Sequence, residues 1–131
     1  MRLDSIAPNA HYDMEHGKPA ALQHDNDGST IIRYNIEPEM GTPDGESEER
    51  QIGWQCHEVR IWDKPTKASL KKAIIRDVID ESQEFAIVNS YNSHVLGIEI
   101  NPDAVDEYKE FFQFRKDVDT LVGEILTEFE I

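Results

Sequence analysis

The chain has 131 residues, of which 31% are charged and 38% hydrophobic, and its formal net charge at pH 7 is −14. Its length suits a single folded domain with a core of its own. The acidity argues against a protein that binds nucleic acid directly or lies on a membrane surface. Nucleic acids and membrane surfaces are negatively charged, and proteins that bind them carry an excess of Lys and Arg.

The N-terminal part of the chain predicts an irregular arm followed by a β-hairpin. Residues 1–17 mix Asp, Asn, Pro and Gly without helical or strand periodicity. Strand-like runs at Ala20–Gln23 and Ser29–Ile36 flank the segment Asp25–Gly28, whose Asn, Asp and Gly residues are typical of a tight turn. In the second strand apolar residues alternate with polar ones, which places Arg33 on the polar face.

The next segment predicts a loop and then a third strand. Residues 37–50 contain two Pro, two Gly and six acidic residues, a composition typical of an exposed acidic loop. Trp54–Trp62 resumes strand character and has apolar residues on both faces, as expected of a central strand. One face holds Trp54, Cys56 and Trp62, and the other holds Val59 and Ile61. The simplest arrangement is a three-stranded antiparallel meander over residues 19–62.

The C-terminal half predicts helices. Thr66 can cap a first helix that runs to about Asp80. Ser82 can cap a second helix over Gln83–Leu96, although a strand over Phe85–Tyr91 is an open alternative.

The last thirty residues predict one long helix, from about residue 102 to about residue 129. Asn101 is a suitable N-cap and Pro102 suits the first helical position. At about 1.5 Å per residue the helix is roughly 40 Å long, which exceeds what a small domain buries by itself. Its apolar stripe is also too wide for one seam, so we expect part of the stripe to contact another chain.

These elements predict an α+β fold. A small antiparallel meander is expected to be covered by helices, within a single domain over residues 18–131 that carries the exposed acidic loop at residues 37–50.

Basic residues are concentrated between Arg60 and Arg76, where six of the thirteen Lys and Arg residues accompany one acid, Asp63. Two interpretations are open. The basic block pairs with acids of the same chain, in the 37–50 loop or the last helix, or it contacts the acidic surface of another molecule. Together with the apolar stripe, the second interpretation gives a hypothetical partner interface. It comprises Phe111, Phe114, Val118, Leu121, Ile125, Lys67, Lys71 and Arg76.

Motifs for calcium binding and catalysis are incomplete. Asp25, Asp27 and Gly28 match three positions of a calcium loop, but Gln23 and Tyr34 occupy the positions of essential ligands. The segment therefore favours a hairpin turn over a calcium site.

Cysteine and histidine chemistry is not expected either. Cys56, His57 and Glu58 are consecutive, but neighbouring side chains in a strand point to opposite faces, so His57 cannot reach the thiol. The histidines show no metal-ligand spacing. With one cysteine and no apolar run of membrane-span or signal-peptide length, the chain is expected to fold inside the cell. The sequence predicts no catalytic residue, cofactor or metal.

Several segments resemble small proteins encoded by tailed phages and prophages. They are Asp27–Pro38, Trp54–Trp62, Pro65–Thr66 at the start of a helix, Ser90–Gly97 and Tyr108–Phe112. Genes for such proteins commonly lie among tail, tail-fibre and baseplate genes. The resemblance covers about residues 27–115 and implies a virion-associated or tail-assembly role without catalysis, but it carries over no functional residue.

Two functional hypotheses follow. The first is a non-enzymatic structural or assembly protein, made in a bacterial host and incorporated into a virion, that forms a homo-oligomer or docks on a larger particle through its last helix. The second is an acidic regulatory or decoy module, with a DNA mimic among the options, that binds a basic protein through the acids of the 37–50 loop. Neither predicts a membrane or direct nucleic-acid partner.

Overall fold

The computed structural model describes residues 1–129 and divides the chain into two compact units. The sheet unit spans Ile6–Pro65, and the helical unit consists of Met1–Ser5 and the chain from Thr66 onward. The α+β class and the long C-terminal helix are confirmed. The expectation of a single domain over residues 18–131 stays a prediction.

The sheet unit contains four antiparallel strands in the spatial order β1-β4-β3-β2. They are β1 (Ala10–Asp13), β2 (Leu22–His24), β3 (Thr30–Gly41) and β4 (Arg50–Ile61). β3 and β4 form a long central hairpin, and the two short strands pair with its outer sides. The predicted meander is therefore present with a fourth strand. The prediction of an irregular segment over residues 1–17 is wrong for β1, whose pairing partner lies more than forty residues away.

The predicted turn between β2 and β3 is confirmed. The backbone N–H of Asp25 donates to the carbonyl of Ser29 at 2.9 Å, and that of Gly28 donates to the carbonyl of Asp25 at 3.2 Å. Gly28 has φ +91°, a conformation that glycine adopts without steric cost. Asp27 accepts hydrogen bonds from the side chain and backbone of Ser29, which lower the pKa of this carboxyl below its ordinary value.

The acidic loop is shorter than the predicted 37–50 segment. β3 continues through Pro38 to Gly41, and β4 begins at Arg50, which leaves residues 42–49 as the connection. Beyond Arg33, the outer side of β3 has no strand partner among the described residues. A proline is tolerated at such an edge because its missing N–H interrupts no ladder there.

A bulge interrupts the central hairpin. Tyr34 pairs with His57 and Glu37 pairs with Gln55, so β3 contains one more residue than β4 between these two pairs. Asn35, within it, has φ +54°. The extra residue shifts the alternation of side chains in the second half of β3.

The helical unit contains α1 (Lys67–Val78), α2 (Glu81–Val95) and α3 (Asp103–Glu128), preceded by a 3-10 turn at Leu3–Ser5. Thr66 caps α1 through a reciprocal capping box with Ser69, as its sequence position predicted. The helical interpretation of α2 is confirmed, but its cap is Asp80 rather than Ser82.

The last helix matches the predicted extent within one or two residues. Its N-cap is Pro102, which makes no side-chain capping bond, so the assignment of Asn101 as the cap is wrong by one position. α3 has 26 residues, about 39 Å, and it packs against both α1 and α2.

Candidate functional site

The apolar stripe of α3 belongs to the core. Phe111, Phe114, Val118 and Ile125 are at most 4% exposed, and Leu121 is half-buried. The four buried side chains pack within the helical unit, whereas Leu121 stays in part accessible to solvent. The partner interface on this face of α3 stays a prediction, and most of its apolar side chains pack α3 into its own unit.

The basic residues of α1 pair with acids on the neighbouring helices. The Nζ atoms of Lys67 and Lys71 lie 3.4 and 2.9 Å from Oδ1 of Asp119 on α3. The hydrogen bond from Lys71 lowers the pKa of Asp119 below its ordinary value. Arg76 instead reaches α2, where its Nη2 lies 3.0 Å from Oε2 of Glu84. The interpretation in which the basic block pairs within the chain is thus confirmed for these residues.

Beside these ion pairs lies an open groove between α1 and α3, with a volume of about 440 Å3. It is lined by Lys71, Phe112, Arg115, Lys116, Asp119 and Thr120, and we call it the α1/α3 groove. Arg115 and Lys116 form no ion pair within residues 1–129. They lie beside aromatic rings, with Cζ of Arg115 5.8 Å from the centre of the Phe111 ring and Nζ of Lys116 5.6 Å from that of Phe112. The groove therefore presents positive charge beside one exposed ring.

Helix α2 has no buried residue along its fifteen positions. Phe85 and Leu96 are separated by eleven residues, about three turns, so they lie on the same side of the helix axis. They are 67% and 71% exposed, and Ile98 and Ile100, which follow the helix, are 77% and 70% exposed. We call these four residues and the exposed Val95 the α2 apolar surface. Large exposed apolar side chains are typical of contact sites in soluble proteins. Four of these five lie within six consecutive positions of the chain, and Phe85 lies about 16 Å from Leu96 along the helix axis.

Aromatic stacking holds α2 on α3. The rings of Tyr91 and Tyr108 are 4.3 Å apart at 14°, and Tyr108 is followed by Phe112 at 6.4 Å. Such stacked pairs contribute about 0.5–1.5 kcal/mol beyond the area that they bury. Phe112 is thus shared between this stack and the α1/α3 groove.

In the sheet unit, Arg33 is buried and its donors are engaged. It is 4% exposed, which contradicts its predicted position on the polar face of β3. Its Nε lies 3.1 Å from Oε2 of Glu58 and 3.2 Å from Oη of Tyr12. Nη1 donates to the carbonyl of Ala20, and Nη2 donates to Oε1 of Gln23. An Arg between isoleucines and tyrosine in a strand is the one signal in the sequence that could have indicated this burial.

The Arg33 cluster also fixes the protonation of Tyr12. Its Oη donates to Oε2 of Glu58 at 2.5 Å. Burial, and then this hydrogen bond to a carboxylate, raise the pKa of Tyr12 above its ordinary value. The three side chains therefore form a closed network whose charges compensate one another.

A groove of about 450 Å3 opens above this network. It is lined by His11, Tyr12, Asp13, His16, Gly17, Pro19, Gln23 and Arg33. The guanidinium lines this groove, and its charge is paired with Glu58. Its role is to hold β2 and β4 to β3.

Asp13 and His16, which line that groove, form a cluster with Glu15 in which the ligand atoms lie within 4.8 Å of one another. All three are exposed. Oδ1 of Asp13 accepts the backbone N–H of Glu15 at 3.0 Å and lies 3.4 Å from Nδ1 of His16. These bonds organise the cluster as a turn after β1.

Cys56 and His57 occupy opposite environments, as strand alternation predicted. Cys56 is fully buried, and burial followed by the negative charge of Glu58 raises the pKa of its thiol. Nδ1 of His57 lies 2.9 Å from the carbonyl of Ala7, and its ring lies against that of Tyr34. A thiol held in its protonated form is a poor nucleophile.

No protein-family model matches the chain, and comparison with curated proteins and with solved structures gave no significant match. Among residues 1–129, none of the helices combines the length and apolar composition needed to cross a bilayer.

Proposed function

We propose that the protein is a non-enzymatic structural or assembly protein of a tailed phage or prophage and that it acts through self-association. The observation that carries this proposal is the exposed α2 apolar surface. The resemblance of residues 27–115 to proteins of tailed phages and prophages supports the assignment to a phage or prophage.

One side of α2 packs on α3, and the side that carries Phe85 and Leu96 is left exposed. Helices of this length gain most of their stability from burying an apolar face, and α2 buries no residue completely in the isolated chain. A second chain that covered Phe85, Leu96 and Ile98 would supply the missing burial.

A second copy of the chain suits this surface. Two-fold dimers, in which the same patch meets itself, are the most frequent oligomers. The copies repel each other elsewhere because each carries a formal charge of −14. The contact through the α2 apolar surface is apolar, and moderate salt should strengthen it by screening the repulsion.

Sedimentation velocity at micromolar concentration and about 500 mM salt tests the proposal, since this salt screens contacts between exposed charges. We expect the wild-type chain to have twice the single-chain mass, and the variant Leu96→Glu/Ile98→Glu to have the single-chain mass. Glu99→Gln, which alters an exposed neighbour and leaves the apolar residues intact, is the control and should keep the dimer mass. A wild-type chain that stays at single-chain mass, or a double variant that stays dimeric, would refute self-association through this surface.

The exposed 42–49 loop favours a second candidate function, the acidic regulatory or decoy module. Residues 44–49 are all exposed and include Asp44, Glu46, Glu48 and Glu49. Conversion of these four acids to amides should abolish binding of a basic peptide such as oligolysine. Conversion of four exposed acids of α3, Asp103, Asp106, Glu107 and Glu110, should not. Equal losses in both variants would show that only net charge matters and would exclude a specific module.

A further inference from the structure

We propose that the α1/α3 groove binds the acidic 42–49 loop of a second copy of this chain. The inference rests on the proposed self-association and adds a second, electrostatic contact to the apolar one.

The groove carries the charge and donor geometry that carboxylates require. Lys71, Arg115 and Lys116 line it, and its one acid, Asp119, is already bound by Lys67 and Lys71. Arg115 supplies a planar guanidinium that can bind a carboxylate through two parallel hydrogen bonds. Within a chain of formal charge −14, the groove is therefore a local site for anions.

The groove is also large enough for a peptide turn. Its volume of about 440 Å3 falls within the range of about 300–1,000 Å3 that is usual for ligand sites. Phe112, 52% exposed, adds an apolar wall next to the cations.

The 42–49 loop offers the complementary charge in a compact form. Its eight residues contain four acids and no base. The backbone N–H of Glu46 donates to the carbonyl of Pro43 at 3.0 Å, and Gly45 has φ +84°, so the loop is presented as a turn. Glu46 pairs with Arg50. The acids that form no ion pair within residues 1–129 are Asp44, Glu48 and Glu49.

The contact is head-to-tail, because the groove and the loop are different surfaces. Such contacts extend an assembly, whereas a patch that meets itself closes a dimer. The dimer formed through the α2 apolar surface would then be the unit, and the groove would join dimers into larger species. A nucleic-acid strand fits less well because the remaining acidic surface of the chain repels it.

Charge exchange between two full-length variants tests the inference. The groove variant is Arg115→Glu/Lys116→Glu, and the loop variant is Glu48→Lys/Glu49→Lys. At about 50 mM salt the wild-type mass should rise above that of a dimer with concentration, and at about 500 mM salt it should return to the dimer because exposed charges are screened. Each variant alone should stay dimeric at both salt concentrations. Their mixture, in which the reversed groove meets the reversed loop, should regain the larger species at low salt.

A synthetic Thr42–Glu49 peptide measures the contact directly. We expect the groove variant to bind this peptide at least tenfold more weakly than wild type. An oligonucleotide of eight residues is the comparison ligand, and tighter binding of it to the wild-type groove would overturn the choice of occupant.

The outcomes separate this inference from the proposed function. Dimers at every salt concentration, or a mixture that fails to form larger species, would overturn the groove contact and leave the apolar dimer standing. A Leu96→Glu/Ile98→Glu chain that still binds the peptide would support the groove site alone, whatever the fate of the dimer.

Discussion

Replacement of Glu58 by Gln tests how far the sheet unit depends on the charge opposite Arg33. The substitution keeps the shape of the side chain and one acceptor oxygen, and removes the negative charge that lies 3.1 Å from the guanidinium. Removal of one partner of a buried ion pair costs about 3–5 kcal/mol. The Glu58 side chain is 30% exposed and Arg33 keeps its other acceptors, so we expect a smaller loss, about 2 kcal/mol.

Urea denaturation followed by tryptophan fluorescence measures this loss. With a slope of about 2 kcal/mol per molar urea, the midpoint should fall by about 1 M. Glu37→Gln is the matched control, because it makes the same change on an exposed β3 residue and should alter stability by less than about 0.5 kcal/mol. Equal midpoints for Glu58→Gln and Glu37→Gln would refute the argument.

Three further predictions concern local structure and pH. Asp80→Ala should lower the free energy of unfolding by about 1 kcal/mol, because Asp80 caps α2. Ser82→Ala should lower it much less, because Ser82 is not the cap. Thermal or urea unfolding measures both, and the reverse order would overturn the cap assignment. Gly53→Ala should destabilise the chain, since its Cβ would meet the carbonyl oxygen of Tyr12, whereas Gly123→Ala in α3 has open space and should stabilise it by up to about 1 kcal/mol. The pKa of Tyr12 is raised above 10.0, so the folded state keeps this proton at pH values where the unfolded chain loses it. The free energy of unfolding should therefore fall as pH rises through that region. Urea unfolding between about pH 8 and 11 should show this decline, and the decline should be smaller in Tyr12→Phe.

Local signals were enough to place several elements from the sequence. The cap of α1 depends on Thr66 and Ser69, which are three positions apart, and the β2–β3 turn depends on five consecutive residues. The apolar residues of α3 recur at spacings of three and four over about seven turns, which indicates a helix. Each of these elements is specified by residues close together in the chain.

The features that sequence reasoning missed depend on distant residues. Burial of Arg33 is possible because Glu58 and Tyr12, 25 and 21 positions away, satisfy its donors. The strand at Pro38 pairs with Trp54, although its own composition suggests a loop. Similarly, the periodicity of α3 identified its apolar face correctly but could not distinguish whether α1 and α2 or another molecule would cover it.

The unpartnered edge of β3 has a further consequence for the behaviour of the protein at high concentration. Exposed strand edges recruit other strands and start fibrillar aggregation. Pro38 withholds a hydrogen-bond donor in the middle of this edge, and the neighbouring Glu37 and Glu39 add charge of one sign. The same residues that made the segment look like a loop therefore act as gatekeepers. They allow the part of β3 beyond Arg33, which has no strand partner on its outer side within residues 1–129, to stay open at its edge without recruiting further strands.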